Sequence, residues 1–426
     1  MNIFRSDASS LKHRQCSVYE MKQLVVNHVT FSTSGGAGVV ASRLQELQVK
    51  NSVDSRILHV TDRNIQALKF SNPLLVLRAL IDFFLVRKDR KNSLFTLLRT
   101  KGSSRILREL RSCQALVHLH WTPGAVSTTD VEKLLSDGRM VVWTIHDMWP
   151  ITAGCHHARD CGEFINHCSG CPQVRKYWQN RVSNEMIRKQ NVFKFRTSLV
   201  LVAPSQWLAS QINKSNIAKG SQVCVIPNPI DTDTFRQLPK FDSKKSLGIP
   251  NQSLVVGCVA ADLSDPMKNV QSVIDGVREL KSSNAHLSIT LLLVGGGKVF
   301  APDLTVVSVG NVTVQSEMAH LYSAMDVLVS LSLAESFSLV VAEASSCGVP
   351  VICLNSGGMP EIVENGKTGI VINHANELNG ALERILNNSE LLCSMSAEGR
   401  KLALREFDQD LVAQRYMDVY RKVGWS

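Results

Sequence analysis

The chain has 426 residues and a mass of 47.0 kDa, with 44% hydrophobic and 20% charged residues and a mean hydropathy of +0.00. These values exclude a fibrous or mainly disordered chain and, at roughly 100 to 200 residues per domain, predict two domains. No run approaches the ~18 consecutive apolar residues of a spanning helix, and the opening MNIFRSDASSLKHRQCSVYE lacks the apolar centre of a signal peptide. With an odd number of cysteines, 11, a fully paired secreted framework is disfavoured, so a cytoplasmic protein with reduced thiols is expected.

The formal charge of +10 is local. Between Lys69 and Arg111 there are 11 Lys and Arg against three acidic residues, so this segment carries +8 of the total. It contains an apolar stretch that runs into a basic cluster, NPLLVLRALIDFFLVRKDRK, too short to span a bilayer. Residues 72–111 therefore read either as an interfacial helix and basic patch on an anionic membrane, or as a packing helix followed by a solvated loop. Binding to nucleic acid is the third use of such charge.

In chain order, residues 1–20 are expected to be a disordered tail. KQLVVNHVTF is a buried strand that turns through the glycine loop STSGGAG into the helical pattern VVASRLQELQVKN. SRILHVT, ALVHLHW, MVVWTIHD and TSLVLVA continue a strand–helix alternation, which predicts a parallel sheet whose carboxyl ends bind ligand. This first domain is expected over 21–230 and contains a cysteine-rich insert at 155–171. A connector at 231–249 leads to a fresh α/β pattern over 250–405, with strands in SLVVGCVAA, SITLLLVGGG, AMDVLVSLS and VPVICLN. An amphipathic helix over 406–426 could return to the first domain.

The candidate site residues lie at strand ends. Gly35 and Gly36 let backbone N–H groups and a helix N-terminus approach an anion, although the loop matches neither a dinucleotide fingerprint nor a Walker A motif. His146 closes the strand before HDMWP, with Asp147 beside it as a group that could set its tautomer; His120 and Trp121 end the preceding strand. In the second domain Lys268 sits between a strand end and a helix, where its ammonium suits a phosphate. Glu335 and Glu343 suit sugar and ribose hydroxyls, with the backbone N–H groups of Ser338, Leu339 and Val340 between them for a diphosphate. Cys155, Cys161, Cys168 and Cys171, spaced C-x5-C-x6-C-x2-C, have three readings: a structural zinc, free or redox thiols, or an iron–sulfur cluster.

Taken together, GGAG, TIHD, PSQWL, PNPID, DPMKN, LLLVGGG and the Glu-x7-Glu block before SGGMPEIV resemble the family 4 retaining glycosyltransferases. The cysteine insert resembles the branch that builds capsular, exopolysaccharide or colanic-acid-type glycans. The resemblance spans roughly 22–423 and implies a GT-B architecture of two facing Rossmann-like domains, the first on the acceptor side and the second binding a nucleotide sugar. It also implies donor-diphosphate contact at Gly36, sugar contact at His146 and Glu335, phosphate contact at Lys268 and ribose contact at Glu343. The arginine that the family commonly carries about six residues before the lysine is here Asp262.

No catalytic cofactor is expected, since protein donors serve the phosphates and no Asp-x-Asp metal–diphosphate signature lies near the site. The expected partners are a nucleotide sugar, a glycan or lipid-linked acceptor, and an anionic membrane at the inner face of the cell membrane, with no specific nucleic acid. A glycan phosphorylase or nucleotide-sugar hydrolase of the same fold, and a non-catalytic basic scaffold or nucleic-acid-binding protein, are the alternative functions.

Overall fold

The fold is taken from a computed structural model that describes residues 24–61, 95–96 and 102–423. The expected N-terminal tail and the apolar–basic stretch from Asn72 to Lys91 lie outside the described residues.

Continuous apolar runs buried on both faces form two parallel sheets, the arrangement that helical crossovers impose. The first sheet has the order β2-β1-β3-β4-β5-β6, with β1 Val25–Ser32, β2 Asp54–Thr61, β3 Leu116–Leu119, β4 Val141–Thr144, β5 Leu199–Ala203 and β6 Gln222–Val225. The second has the order β12-β11-β10-β7-β8-β9, with β7 Leu254–Asp262, β8 Ile289–Gly296, β9 Thr305–Val309, β10 Val327–Ser330, β11 Val351–Leu354 and β12 Gly369–Ile372. This is the two-domain α/β architecture of the GT-B type, with a cleft between the halves. Each sheet reverses its winding once, between β1 and β3 in the first and between β7 and β10 in the second, and such reversals open a crevice at the strand ends.

The residues between the sheets are not a bare connector. Lys240–Ser246 is helical, and Lys244 bonds Asp326 at 3.1 Å, which ties the segment to the second domain. The chain crosses back after Phe407, where Ile230 N–H donates to Phe407 O at 2.8 Å and Gln409 N–H donates to Ile230 O at 2.9 Å. The two crossings are thus hydrogen-bonded to each other. Beyond them the helix Gln409–Lys422 lays Val412, Ala413, Tyr416, Val419 and Tyr420 on the first domain, against Val26, Val40, Leu44, Leu116 and Val142.

Tyr416 and Tyr420 are fully buried. Tyr416→Ala removes a large aromatic side chain from under the first sheet and is expected to cost about 3–5 kcal/mol. Urea denaturation should show a lower midpoint with an unchanged slope.

Candidate active site

The carboxyl ends of β1, β3 and β4 converge on a cavity of about 280 Å³ whose walls include Ser32, the Gly35–Gly38 turn, Trp121, His146 and Asp147. At Gly38 a Cβ would stand 2.4 Å from the Ser32 carbonyl, so only glycine lets the helix Gly35–Lys50 start so close to the strand it follows. Ser34 makes no side-chain cap and the first turn holds no acidic residue, which leaves this helix end electropositive toward the cavity.

Behind the cavity wall lies a row of histidines. His146 Nε2 is 3.0 Å from His120 Nδ1, His120 Nε2 is 3.0 Å from His28 Nδ1, and His28 Nε2 is 2.9 Å from Gln48 Oε1. Burial holds His28 and His146 at about 4 and pushes His118 and His120 well below the usual histidine value. All four rings are therefore neutral at pH 7.

Asp147 was expected to orient His146, yet it does not. Its carboxylate accepts from His156 Nδ1 at 2.6 Å, Trp121 Nε1 at 3.0 Å and Trp149 N at 2.8 Å. Neighbouring side chains at a strand end diverge, which sends His146 to the histidine row and Asp147 to the Trp121–His156 side.

In the second domain Lys268 follows β7 in the short turn Pro266–Lys268, and Glu335 follows β10. Their side chains meet at 2.6 Å. Burial opposes the ammonium, but the Glu335 carboxylate outweighs it and holds Lys268 above its ordinary value. Gly357 presses on Glu335 from behind: with φ +60 and a Cβ position 1.9 Å from the Glu335 carbonyl, no other residue fits. Ser338, which precedes the helix Leu339–Ser346, has φ +108, a strained conformation for a serine, and makes no side-chain cap. Asp262 turns its carboxylate to Ser264 N and Oγ, at 2.9 and 2.6 Å, so it supplies no cation.

The halves are in contact. The Cβ position of Gly36 is 3.8 Å from Leu339 Cδ1, which puts the first turns of two helices without side-chain caps in contact. Glu343 is paired, with Arg43 of the first domain at 2.9 Å and Tyr322 OH at 3.3 Å. Burial raises the Glu343 carboxyl, and Arg43 works against that rise. Arg43 also donates to Pro229 O at 2.9 Å, at the crossing between domains. Ser205 Oγ donates to Ser336 O at 2.7 Å, and the Glu361 carboxylate accepts from Gln206 N and Trp207 N at 2.7 and 2.6 Å. PSQWL and the end of SGGMPEIV thus join the domains.

The cysteine set does not close into a cage. Cys155, Cys161, Cys168 and Cys171 are free thiols; Cys168 and Cys171 pack in the apolar core, and Gln173 Nε2 donates to Cys155 Sγ at 3.3 Å. Burial pushes the Cys168 thiol up to about 11 and raises Cys155 and Cys171 as well, which favours the protonated form. Among the described residues, the one group of three or more candidate ligands with atoms within 4.8 Å of one another is His28, His118 and His120. That trio, on β1 and at the end of β3, is close enough for a structural metal ion, although the ring nitrogens are spent on hydrogen bonds.

Three contributors escaped the sequence reading: His28, Gln48 and Arg43. The first is a polar break in the apolar run VVNHVTF. The other two occupy the buried face of the first helix, at helical spacing from Val40, Leu44 and Leu47, where a charge or amide needs a partner.

Comparison with known proteins gives a consistent picture. A family model described as Glycosyltransferase Family 4 matches residues 34–234, and one described as Glycosyl transferases group 1 matches residues 253–388. The N-acetyl-alpha-D-glucosaminyl L-malate synthase of Bacillus anthracis is 26% identical, over 72% of this chain and 74% of its own. A glycosyl transferase of Escherichia coli named for colanic acid biosynthesis, WcaC, is 29% identical, over 54% of this chain and 55% of its own. Other curated relatives are matched over as little as 44% of their length. Among solved structures, HepE of Anabaena in complex with UDP-glucose superposes with a TM-score of 0.63 at 16% identity, covering 93% of this chain and 99% of its own, which shows a shared fold.

The neutral histidines set an acid limit on stability. Their unfolded values lie near 6.5 and their folded values lower, at about 4 for His28 and His146. Between those values the unfolded chain binds more protons, so stability is full above pH 6.5 and falls as the pH drops toward 4. His28 alone should account for on the order of 3 kcal/mol. Urea midpoints measured from pH 8 to 4 should be flat above 6.5 and decline below it, less steeply in His28→Gln.

Proposed function

We propose, from the premise that this chain is a GT-B glycosyltransferase related to the family 4 and group 1 enzymes, that it is a retaining transferase. In this reading it moves a sugar from a nucleoside-diphosphate donor to a lipid-linked glycan in surface-polysaccharide synthesis. The observation that carries the donor side is the contact between the first turns of two helices without side-chain caps, at Gly36 and Leu339, with Lys268 bonded to Glu335 in the loop leading to the second. Two helix ends and an ammonium suit a diphosphate, whose charge grows as the bond to the sugar breaks.

Lys268 and the backbone N–H groups of Ser338, Leu339 and Val340 stabilise the departing diphosphate. Glu335 trades part of its bond with Lys268 for sugar hydroxyls, and Glu343 takes the ribose, with Arg43 favouring its ionised form. His146 contacts the transferred sugar. The bond from the anomeric carbon to the diphosphate oxygen breaks, and the acceptor hydroxyl attacks on the face that oxygen vacates and gives that oxygen its proton. The configuration is thus retained, and no side chain is assigned as a covalent nucleophile. Trp121 and Asp147, which line the cavity, belong to the acceptor side, whereas His120, expected there too, lies behind the wall with both ring nitrogens bonded to histidines.

HepE is named with UDP-glucose and WcaC with colanic acid biosynthesis, and both names fit a nucleotide-sugar donor and a surface glycan. Among the described residues no helix is long and apolar enough to cross a membrane. A cytoplasmic enzyme docked on the inner membrane face through residues 72–111 accords with the +8 carried by Lys69–Arg111.

Two measurements test these readings. In a thermal-shift panel of UDP-, GDP- and dTDP-sugars, at least one donor should stabilise the wild type, by about 2.7 kcal/mol at a hundredfold excess over Kd, and Lys268→Ala should lose most of that shift. A wild type that responds to no nucleotide sugar removes the reading. The membrane contact is read by sedimentation with vesicles, where the full chain should bind anionic and not neutral lipid; equal absence of binding removes that part.

A further inference from the structure

Gln48 lies far from the cavity, on the helix Gly35–Lys50, yet it ends the row of histidines that begins at His146. Its amide oxygen accepts from Ser55 Oγ at 2.8 Å, and its amide nitrogen donates to Tyr420 OH at 3.1 Å. An amide oxygen carries no hydrogen, so His28 Nε2, 2.9 Å away, must be the donor of the bond between them. A neutral ring holds one proton. His28 Nδ1 is then bare and accepts from His120 Nε2–H at 3.0 Å; His120 Nδ1 is bare in turn and accepts from His146 Nε2–H at 3.0 Å. The remaining nitrogen, His146 Nδ1, is left as a lone pair on a side chain that lines the cavity and is only partly buried. A branch from the same amide obeys the same sense. Tyr420 OH, 2.7 Å from His118 Nδ1, can donate to it, and His118 Nε2–H then serves Thr144 Oγ1 at 2.8 Å.

We propose that Gln48 is a positioning residue which, through His28 and His120, fixes His146 in the Nε2–H tautomer and so presents Nδ1 as a hydrogen-bond acceptor for a hydroxyl of the transferred sugar. The sugar contact rests on the function proposed above; the tautomer does not. As an acceptor, His146 selects donors with a free hydroxyl at that place and discriminates against deoxy sugars, because a lone pair in a closed cleft gains nothing from a C–H group. The relay also orients the ring, as a second partner does for histidines elsewhere.

The proposal is tested by nitrogen-15 NMR of the full chain labelled at histidine, with His146 assigned by comparison with His146→Gln. The wild type should show His146 with a protonated Nε2 and a bare Nδ1. Gln48→Glu, which keeps an acceptor for His28, should preserve that pattern, and Gln48→Met, which removes it, should give mixed tautomers. Gln48→Met should also lower kcat/KM for the nucleotide sugar about tenfold, with affinity for the free nucleoside diphosphate within about twofold of wild type.

A wild type with the proton on Nδ1 of His146, or a folded Gln48→Met with an unchanged tautomer, overturns the relay. The first of these needs no variant, so a Gln48→Met that fails to fold leaves the proposal falsifiable. A wild type with the expected tautomer that binds no nucleotide sugar overturns the sugar contact and the function reading together, while the relay stands.

Discussion

Once the helix Gln409–Lys422 closes over the first sheet, the polar side chains beneath it have no water to bond. His28, His118 and Thr144 are completely buried there, and each must find a partner within the protein. Tyr416 reaches Thr144 at 3.0 Å, Tyr420 reaches His118 at 2.7 Å, and Gln48 serves Tyr420 and His28 together. A buried network of this kind is stable only when complete, because a single unpaired member costs its full desolvation. Completeness is what turns a packing contact by a returning helix into control of one ring at the cavity.

The same return organises the cleft. Two parallel sheets each open at the point where their winding reverses, and the paired crossings at Ile230 and Phe407 hold those openings toward each other. Gly36 and Leu339 then meet, and the groups proposed to serve the donor come from both sides. The short motifs divide accordingly. DPMKN and the first glutamate of the Glu-x7-Glu block form the Lys268–Glu335 pair, whereas PSQWL and the end of SGGMPEIV dock one domain on the other. The helix N-terminus bonded to Glu361 is spent on that docking, whereas those at Gly36 and Leu339, which have no side-chain cap, lie at the cleft.

Charge balance explains why the acidic residues can sit so near a proposed diphosphate. Glu335 is neutralised by Lys268 and Glu343 by Arg43, so the cleft does not present bare carboxylates to an anion. The Arg43–Glu343 pair is withdrawn from water, where removing one partner is costly, whereas the Lys268–Glu335 pair is partly exposed and exchanges a partner for a ligand hydroxyl more easily. Donor entry in the proposed mechanism is such an exchange. Asp262, in the place where the resemblance calls for arginine, bonds its own turn, and Arg43 comes from the opposite domain to pair with Glu343.

How much was legible in the chain follows from the range of each interaction. Local patterns determined the two α/β halves, the strand ends that carry His146, Lys268 and Glu335, and the glycine turn, because apolar runs, turn chemistry and helix starts depend on neighbours a few residues away. The partners of those residues were not legible. Arg43 and Glu343 are 300 positions apart, Gln48 and Tyr420 are 372, and neither pair leaves a local trace beyond a polar residue on an apolar face. The cysteine spacing suggested a metal cage that packing did not assemble, and the adjacency of His146 and Asp147 suggested a pair that strand geometry separates. Sequence by itself determined which groups stand at the strand ends; the tertiary structure decided what each group bonds, because burial drives polar atoms toward partners that only the folded chain brings near.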